Sequence, residues 1–457
     1  MKEISNKQKI DEIFTRGVGE FVDPDGKFRE KLEKNPKGII IKFGVDPTRP
    51  DIHLGHAVVL RKLRQFQDLG CKVIFLVGDF TAMIGDPTGN SKVRPEISYQ
   101  EIDSNVRTYL NQVKFILRQE ESVFAWINNL DWFISITDLV FDEKKTTLIK
   151  GKDGQSITVL SNTFIGKAAE YDNIQRQKLF KPTIENVTIS TFLSVLRRIT
   201  HSQLISRDMF DKRIKNGEEL FMHEMMYPVL QGIDSHVLGK IFGSCDLEVG
   251  GTDQHFNMLM GRDIMKMTKQ EPQAVLSFRL LEGTDGKEKM SKSLDNYIGI
   301  TDEPNDMYGK VMSIPDSSIG NYFELCTFTP MEEVEEIKKK LEKNLVNPKE
   351  IKMKLAKQIV AIYHGEDKAK KAEENFVNTF QKKEIPEEMT ELDGGGKTLM
   401  NILVEAKILS SKGDFRRLIE EGAVTDLNTD KKLTEANFIP ESGMKFKIGK
   451  KRFIKIK

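Results

Sequence analysis

The sequence predicts an α/β protein: a domain with a Rossmann-like parallel sheet, then an α-helical domain and a small C-terminal α/β module. Three observations carry this. Apolar runs alternate with a helical pattern over residues 36–92, the βαβ rhythm of a parallel sheet. From about 300 to 380 the pattern is helical. An acidic linker over 382–396 contains Pro386 and closes on Gly394-Gly395-Gly396, after which apolar periodicity resumes.

Along the chain, residues 38–43 read as a strand, 54–68 as a helix and 72–77 as the next strand. Residues 94–130 read as mostly helical, with apolar residues at helical spacing over 99–117. The rhythm breaks over 137–187. There, 146–160 alternates around Asp153-Gly154, a hairpin turn signal, so an insertion with a surface hairpin is expected; an irregular charged loop is the alternative. Helical patterns return over 190–232, and a strand-turn unit over 245–254 ends in Gly250-Gly251-Thr252-Asp253-Gln254. Thr329-Pro330-Met331-Glu332 reads as a capping box with Pro at the first helical position. In the last module Leu399, Ile402, Leu403 and Leu409 suggest one helix, and Ser411 caps a second over 415–420 that Gly422 ends. Strands are expected over 446–448 and 453–456. The expected domains are 1–300, 301–385 and 397–457.

Composition bounds the partners. The 457 residues are 39% apolar and 30% charged, and a net charge of +1 requires any RNA-binding surface to be local. Cys71, Cys245 and Cys326 form no CxxC pair, which fits a reducing cytosol and argues against a structural metal. The polar start lacks a signal core, and no apolar run reaches bilayer length. A cytoplasmic protein without a membrane partner is expected.

Two motifs carry the chemistry: His53-Leu54-Gly55-His56 and Lys289-Met290-Ser291-Lys292-Ser293. His53 and His56, three apart at a helix start, lie on one face beside backbone N–H groups and the positive end of the dipole. Gly55 removes a side chain where a ligand approaches the backbone. An ordinary helix start or half of a metal site would show the same pair, although no third ligand stands nearby at plausible spacing. Lys289 and Lys292 sit in a loop entered through Gly283, Asp285 and Gly286, where mobile lysines can close over a triphosphate; a solvated basic loop is the alternative. Together the motifs describe a site that breaks ATP between its α- and β-phosphates. Such a site must aim donors and cations at the phosphate oxygens that gather charge.

Tyr227, Gln231 and Asp234 share one face of a helix among apolar Met225, Met226, Val229 and Leu230, as polar groups lining a pocket do. Asp253 is offered to ribose hydroxyls and Gln254 to a carboxylate or carbonyl. Thr81 and Asp86 form a further cluster, in which Asp86 suits a cationic amine, although Asp86-Pro87-Thr88-Gly89 is first a turn.

These residues resemble class I aminoacyl-tRNA synthetases of the tyrosyl/tryptophanyl subclass, over about 36–136 and 190–457. The shared segments include Gly44-Val45-Asp46-Pro47-Thr48, Ile84 to Gly89, and Gly250 to Gln254. Tyr227, Gln231 and Asp234 favour the tyrosyl branch, and the Leu60–Gln67 segment with Gly78-Asp79-Phe80-Thr81 its second bacterial type. The resemblance implies a ligase that uses ATP, with Mg²⁺, to activate L-tyrosine and charge tRNA(Tyr), working as a homodimer. It implies an ATP site of Gly44, Asp46, His53, Gly55, His56, Gly251, Asp253, Lys289, Met290, Ser291 and Lys292. His53, His56, Lys289 and Lys292 are its catalytic groups. The implied tyrosine site is Thr81, Asp86, Tyr227, Gln231, Asp234 and Gln254, with Asp234 at the phenol. The helical domain would read the anticodon. Lys412, Arg416 and Arg417 would touch RNA, and inward Phe446, Ile448, Ile454 and Ile456 would leave the tail lysines outward; a plain charged edge strand reads the same way. The rivals are a tryptophanyl enzyme and a catalytically silent RNA-binding descendant. Lys42, where the commoner bacterial type has a pocket tyrosine, and Asp295, where a glycine is usual, depart from the pattern. So do extra residues over about 236–246 and the insertion.

Overall fold

The computed structural model describes residues 6–87, 97–133, 146–150, 156–160, 165–166, 189–205, 208–378, 389–429, 431–449 and 452–457. The chain divides into two compact units, Met1–Tyr363 and His364–Lys457.

The first unit is built on a seven-stranded sheet of β1 (Val18–Val22), β2 (Ile40–Val45), β3 (Lys72–Val77), β4 (Phe124–Asn128), β7 (Ile165–Gly166), β8 (Leu247–Gly251) and β9 (Ala274–Phe278), in the order β1-β9-β8-β2-β3-β4-β7. The five central strands pair in parallel, and β1 and β7 close the edges antiparallel. Strand β3 lies where 72–77 was expected, and all of its residues but Lys72 are buried, as apolar strands covered on both faces are. The helix Leu54–Leu69 stops at Gly70, whose φ of 102° only glycine adopts at low cost. Its buried face includes Leu54, Val58, Leu63 and Phe66.

Three expectations need correction. Residues 94–130 are helical only over Tyr99–Val113 and then enter β4, because Phe124-Ala-Trp-Ile-Asn is a fully buried strand whose short apolar run carries no period of its own. The helix expected to start from a Thr329 capping box begins at Met331 with Pro330 at its cap and no side-chain cap; buried Thr329 instead donates its hydroxyl to Gln358 Oε1. The linker reading fails over Thr390–Leu392, which forms β10. In the insertion, β5 (Thr146–Lys150) and β6 (Ser156–Leu160) pair antiparallel as the expected hairpin, and most of the remainder of 137–187 lies outside the described residues.

In the second unit β10 joins β11 (Val424–Asp426), β12 (Lys431–Lys432), β13 (Lys445–Ile448) and β14 (Arg452–Ile456) in the order β10-β14-β13-β11-β12. Phe446, Ile448, Ile454 and Ile456 point inward, as the alternation required, onto Leu399, Leu403 and Phe415. Ser411 caps the helix Lys412–Glu420 by accepting from the Asp414 N–H. Leu409 falls beyond its expected helix, which ends at Glu405, yet it stays in the core.

Candidate functional site

A cleft of about 960 Å³ opens over the C-terminal ends of β2, β3 and β8, where open parallel sheets bind ligands. Every residue expected at the ATP and tyrosine sites lines it, from Gly44 and Asp46 to Lys292.

At one end stand the histidines. His53 caps the helix Leu54–Leu69 and its ring stacks on His56, with centroids 3.8 Å apart. The His53 N–H donates to His56 Nδ1 at 3.3 Å. Burial, then the nearby lysines, pushes His56 down to about 3, so it is neutral and carries its proton on Nε2 as a donor. Burial pushes His53 well down too, and its buried Nδ1 has no hydrogen-bond partner among the described residues. A Cβ on Gly55 would come within 3.1 Å of the His53 ring, so the glycine keeps that ring in place as well as admitting a ligand.

The lysine loop is anchored to this helix start. Leu54 N–H donates to Ile298 O and Ile300 N–H to Ile52 O. Asn296, which sequence reasoning missed, braces the loop: its Oδ1 accepts from Ser291 N–H at 2.8 Å, and its Nδ2 donates to Asp285 Oδ2 and Lys289 O. Met290 is buried, Lys289 pairs with Asp253 Oδ2 at 2.9 Å, and Lys292 lies over the Tyr109 ring while donating to Arg49 O at 3.2 Å. Burial pushes Lys292 down to about 8. Asp295 takes φ of 52°, the left-handed region that favours the glycine it replaces and that Asp tolerates better than most residues.

The other end is a dense polar network, in which buried Asn257 Oδ1 has no hydrogen-bond partner among the described residues. Tyr227 donates to Asp46 Oδ2 and Thr81 to Asp46 Oδ1, both at 2.8 Å. Gly78 makes room for this, since a Cβ there would overlap Asp46 Oδ1. Gln254 donates to Asp86 Oδ2 at 2.7 Å, and Asn257 donates to Gln254 and Gln231. Asp234 accepts from Trp132 Nε1 at 2.9 Å and from Asn129 Nδ2 at 3.3 Å. Burial raises it to about 7, opposed by Lys42 and these two donors. Below it, Gln231 donates to Glu248 Oε1 at 3.0 Å, and Lys42 pairs with the same carboxylate at 2.9 Å. Sequence reasoning missed Asn129, Trp132, Ser235, Glu248 and Asn257. A signal for Glu248 was present: a lone Lys in Ile-Ile-Lys-Phe and a lone Glu in Leu-Glu-Val each need an opposite charge.

Thr88 and Gly89 lie outside the described residues. Lys412, Arg416 and Arg417 belong to the second unit, where all three are exposed on or at the start of one helix. Among the described residues no three His, Cys, Asp or Glu side chains converge as metal ligands, and no helix is long and apolar enough to cross a membrane.

The family model for class I tRNA synthetases (W and Y) matches residues 34–142 and 181–381. A tyrosine–tRNA ligase of Carboxydothermus hydrogenoformans is 39% identical over 458 residues, covering 97% of each chain. Tyrosine–tRNA ligase 2 of Clostridium acetobutylicum is also 39% identical, over 100% of this chain and 99% of its own. A C-terminally truncated mitochondrial tyrosyl-tRNA synthetase of Aspergillus nidulans shares the fold with a TM-score of 0.54 at 22% identity, over 83% of this chain and 95% of its own. The Archaeoglobus fulgidus tyrosyl-tRNA synthetase, solved with L-tyrosine, gives 0.52 at 20% identity, over 81% and 100%. On this coverage and identity the chain belongs to the tyrosyl-tRNA synthetases, within the class I tRNA synthetases (W and Y).

Proposed function

We propose that the chain is an ATP-dependent tyrosine–tRNA ligase whose two steps share one cleft. The carboxylate of tyrosine attacks the α-phosphorus of ATP, the bond to the β-phosphate breaks, and pyrophosphate leaves tyrosyl-adenylate. A terminal ribose hydroxyl of tRNA(Tyr) then attacks the tyrosyl carbonyl, and AMP departs. The observation that carries this reading is the convergence of both nucleotide motifs with Tyr227, Gln231 and Asp234 around one cavity.

In the first step neutral His56 donates from Nε2 to phosphate oxygen, and His53 acts beside it. Lys289 and Lys292 leave Asp253 and the Arg49 carbonyl to follow charge onto the departing pyrophosphate. Neither histidine acts as a nucleophile or base. Asp253 freed from Lys289 meets the ribose, while Gly44, Gly55 and Gly251 give ATP room near the backbone. Asp234 accepts from the phenol, and Asp86, Tyr227 and Gln231 surround the ammonium. Thr81 and Gln254 hold Asp46 and Asp86 in place. Mg²⁺ is expected to arrive with the triphosphate.

Residues 1–300 are assigned to catalysis, 301–385 to the anticodon and 397–457 to RNA binding through Lys412, Arg416 and Arg417, their exposure supporting the last. Resemblance to the second bacterial type supports a cytoplasmic homodimer, and the insertion is assigned to the partner subunit or tRNA.

Pyrophosphate exchange across the twenty amino acids, followed by charging of total tRNA, tests the reading. Exchange led by tyrosine is expected. Exchange led by tryptophan, or none, overturns it.

A further inference from the structure

Lys42 stands where a substrate-facing phenol would be expected, and its geometry rules it out as a replacement donor. It lies on β2 opposite Glu248 on β8, the two in register on adjacent parallel strands. Both are buried, at 0% and 1% side-chain exposure. An ammonium has three N–H donors. Those of Lys42 are taken by Gln231 O at 2.8 Å, Ser235 Oγ at 2.9 Å and Glu248 Oε1 at 2.9 Å. None is left for a substrate.

The same contacts show what the pair holds. Glu248 also accepts from the Gln231 amide at 3.0 Å, from the Ser235 hydroxyl at 3.2 Å and from Gln273. Gln231 is thus gripped twice, through its carbonyl by Lys42 and through its amide by Glu248. Ser235, one residue beyond Asp234, bridges the two charges. The middle of the helix Met222–Phe242 is pinned to the strands at exactly the stretch that carries the pocket-facing Gln231 and Asp234.

We propose that the buried Lys42–Glu248 pair is a specificity-determining positioning device, which sets Gln231 and Asp234 against the amino-acid substrate without touching it. This rests on the tyrosine reading. A buried pair replaced whole by apolar residues of similar volume is often neutral for stability, so the role expected here is geometric and separable from folding.

Pyrophosphate exchange by the full-length protein tests it, with KM measured for tyrosine and ATP and the rates compared for tyrosine and phenylalanine. Lys42→Met should raise KM for tyrosine by about tenfold, leave KM for ATP within about twofold, and cut discrimination against phenylalanine by about tenfold. Lys42→Met/Glu248→Met removes both charges, should lower the thermal midpoint less than Lys42→Met alone because no buried charge is left unpaired, and should still show the raised tyrosine KM and weak discrimination. The double variant decides the matter if the single one fails to fold. A double variant with unaltered tyrosine KM and discrimination overturns the proposal, as does an equal rise in both KM values. Absence of tyrosine-dependent exchange in the unaltered protein overturns the functional reading and the proposal with it.

Discussion

The two ends of the cleft are built on opposite principles. At the amino-acid end the charged and substrate-facing groups hold one another: Lys42, Glu248, Gln231 and Asp234 each have partners in the protein. At the nucleotide end they are under-committed: His53 Nδ1 lacks a partner among the described residues, and Lys289 and Lys292 rest on contacts that a triphosphate can replace. A dense network holds a shape and rejects what does not complete it, because a buried group left unpaired is costly. Loosely held donors can follow charge as it moves. Selection and rate enhancement should therefore be separable by mutation.

The largest effect expected is at the nucleotide end. Lys292→Ala should slow adenylate formation by about a hundredfold while KM for tyrosine stays within about twofold, as single-turnover and steady-state kinetics would show. Equal losses in both would break the contrast. At the other end, Asp234→Ala leaves the substrate phenol and the Trp132 and Asn129 donors unpaired, and should raise KM for tyrosine by about tenfold or more with a smaller change in maximal rate.

Asp234 also sharpens the contrast through pH. Its pKa of about 7 reflects burial and Glu248, which raise it, against Lys42, Trp132 and Asn129, which lower it. The ionised carboxylate accepts a stronger hydrogen bond from the phenol than the protonated acid does, so kcat/KM for tyrosine should fall as pH drops through about 7. Asp234→Asn should lose this limb. His56 should add none between pH 5 and 8, since burial and the nearby lysines push it down to about 3.

Effects outside the cleft should be narrower. Alanine at Lys412, Arg416 and Arg417 together should weaken tRNA binding by roughly tenfold at low salt, flatten its salt dependence, and leave pyrophosphate exchange untouched. Asp295→Gly relieves a left-handed φ but loosens the unfolded chain, so stability should move by less than about 1 kcal/mol.

The same division explains what the sequence made legible. The nucleotide motifs are local: His53 to His56 and Lys289 to Ser293 are each read within one short segment, and so was β3. The amino-acid end is long-range. Trp132 reaches Asp234 across 102 positions and Lys42 reaches Ser235 across 193, so no local pattern announces them. Their supporting strand β4 was hidden too, because five buried residues without alternation read as helix or strand alike. Thr329 failed for a related reason: its hydroxyl is used across the fold by Gln358 and not by its own helix.

The most direct test combines Lys292→Ala with Asp234→Asn and compares kcat/KM for tyrosine with the two single variants. If the ends act separately, the losses multiply to within about threefold. A combined loss no larger than that of either single variant would show one coupled unit and contradict the account.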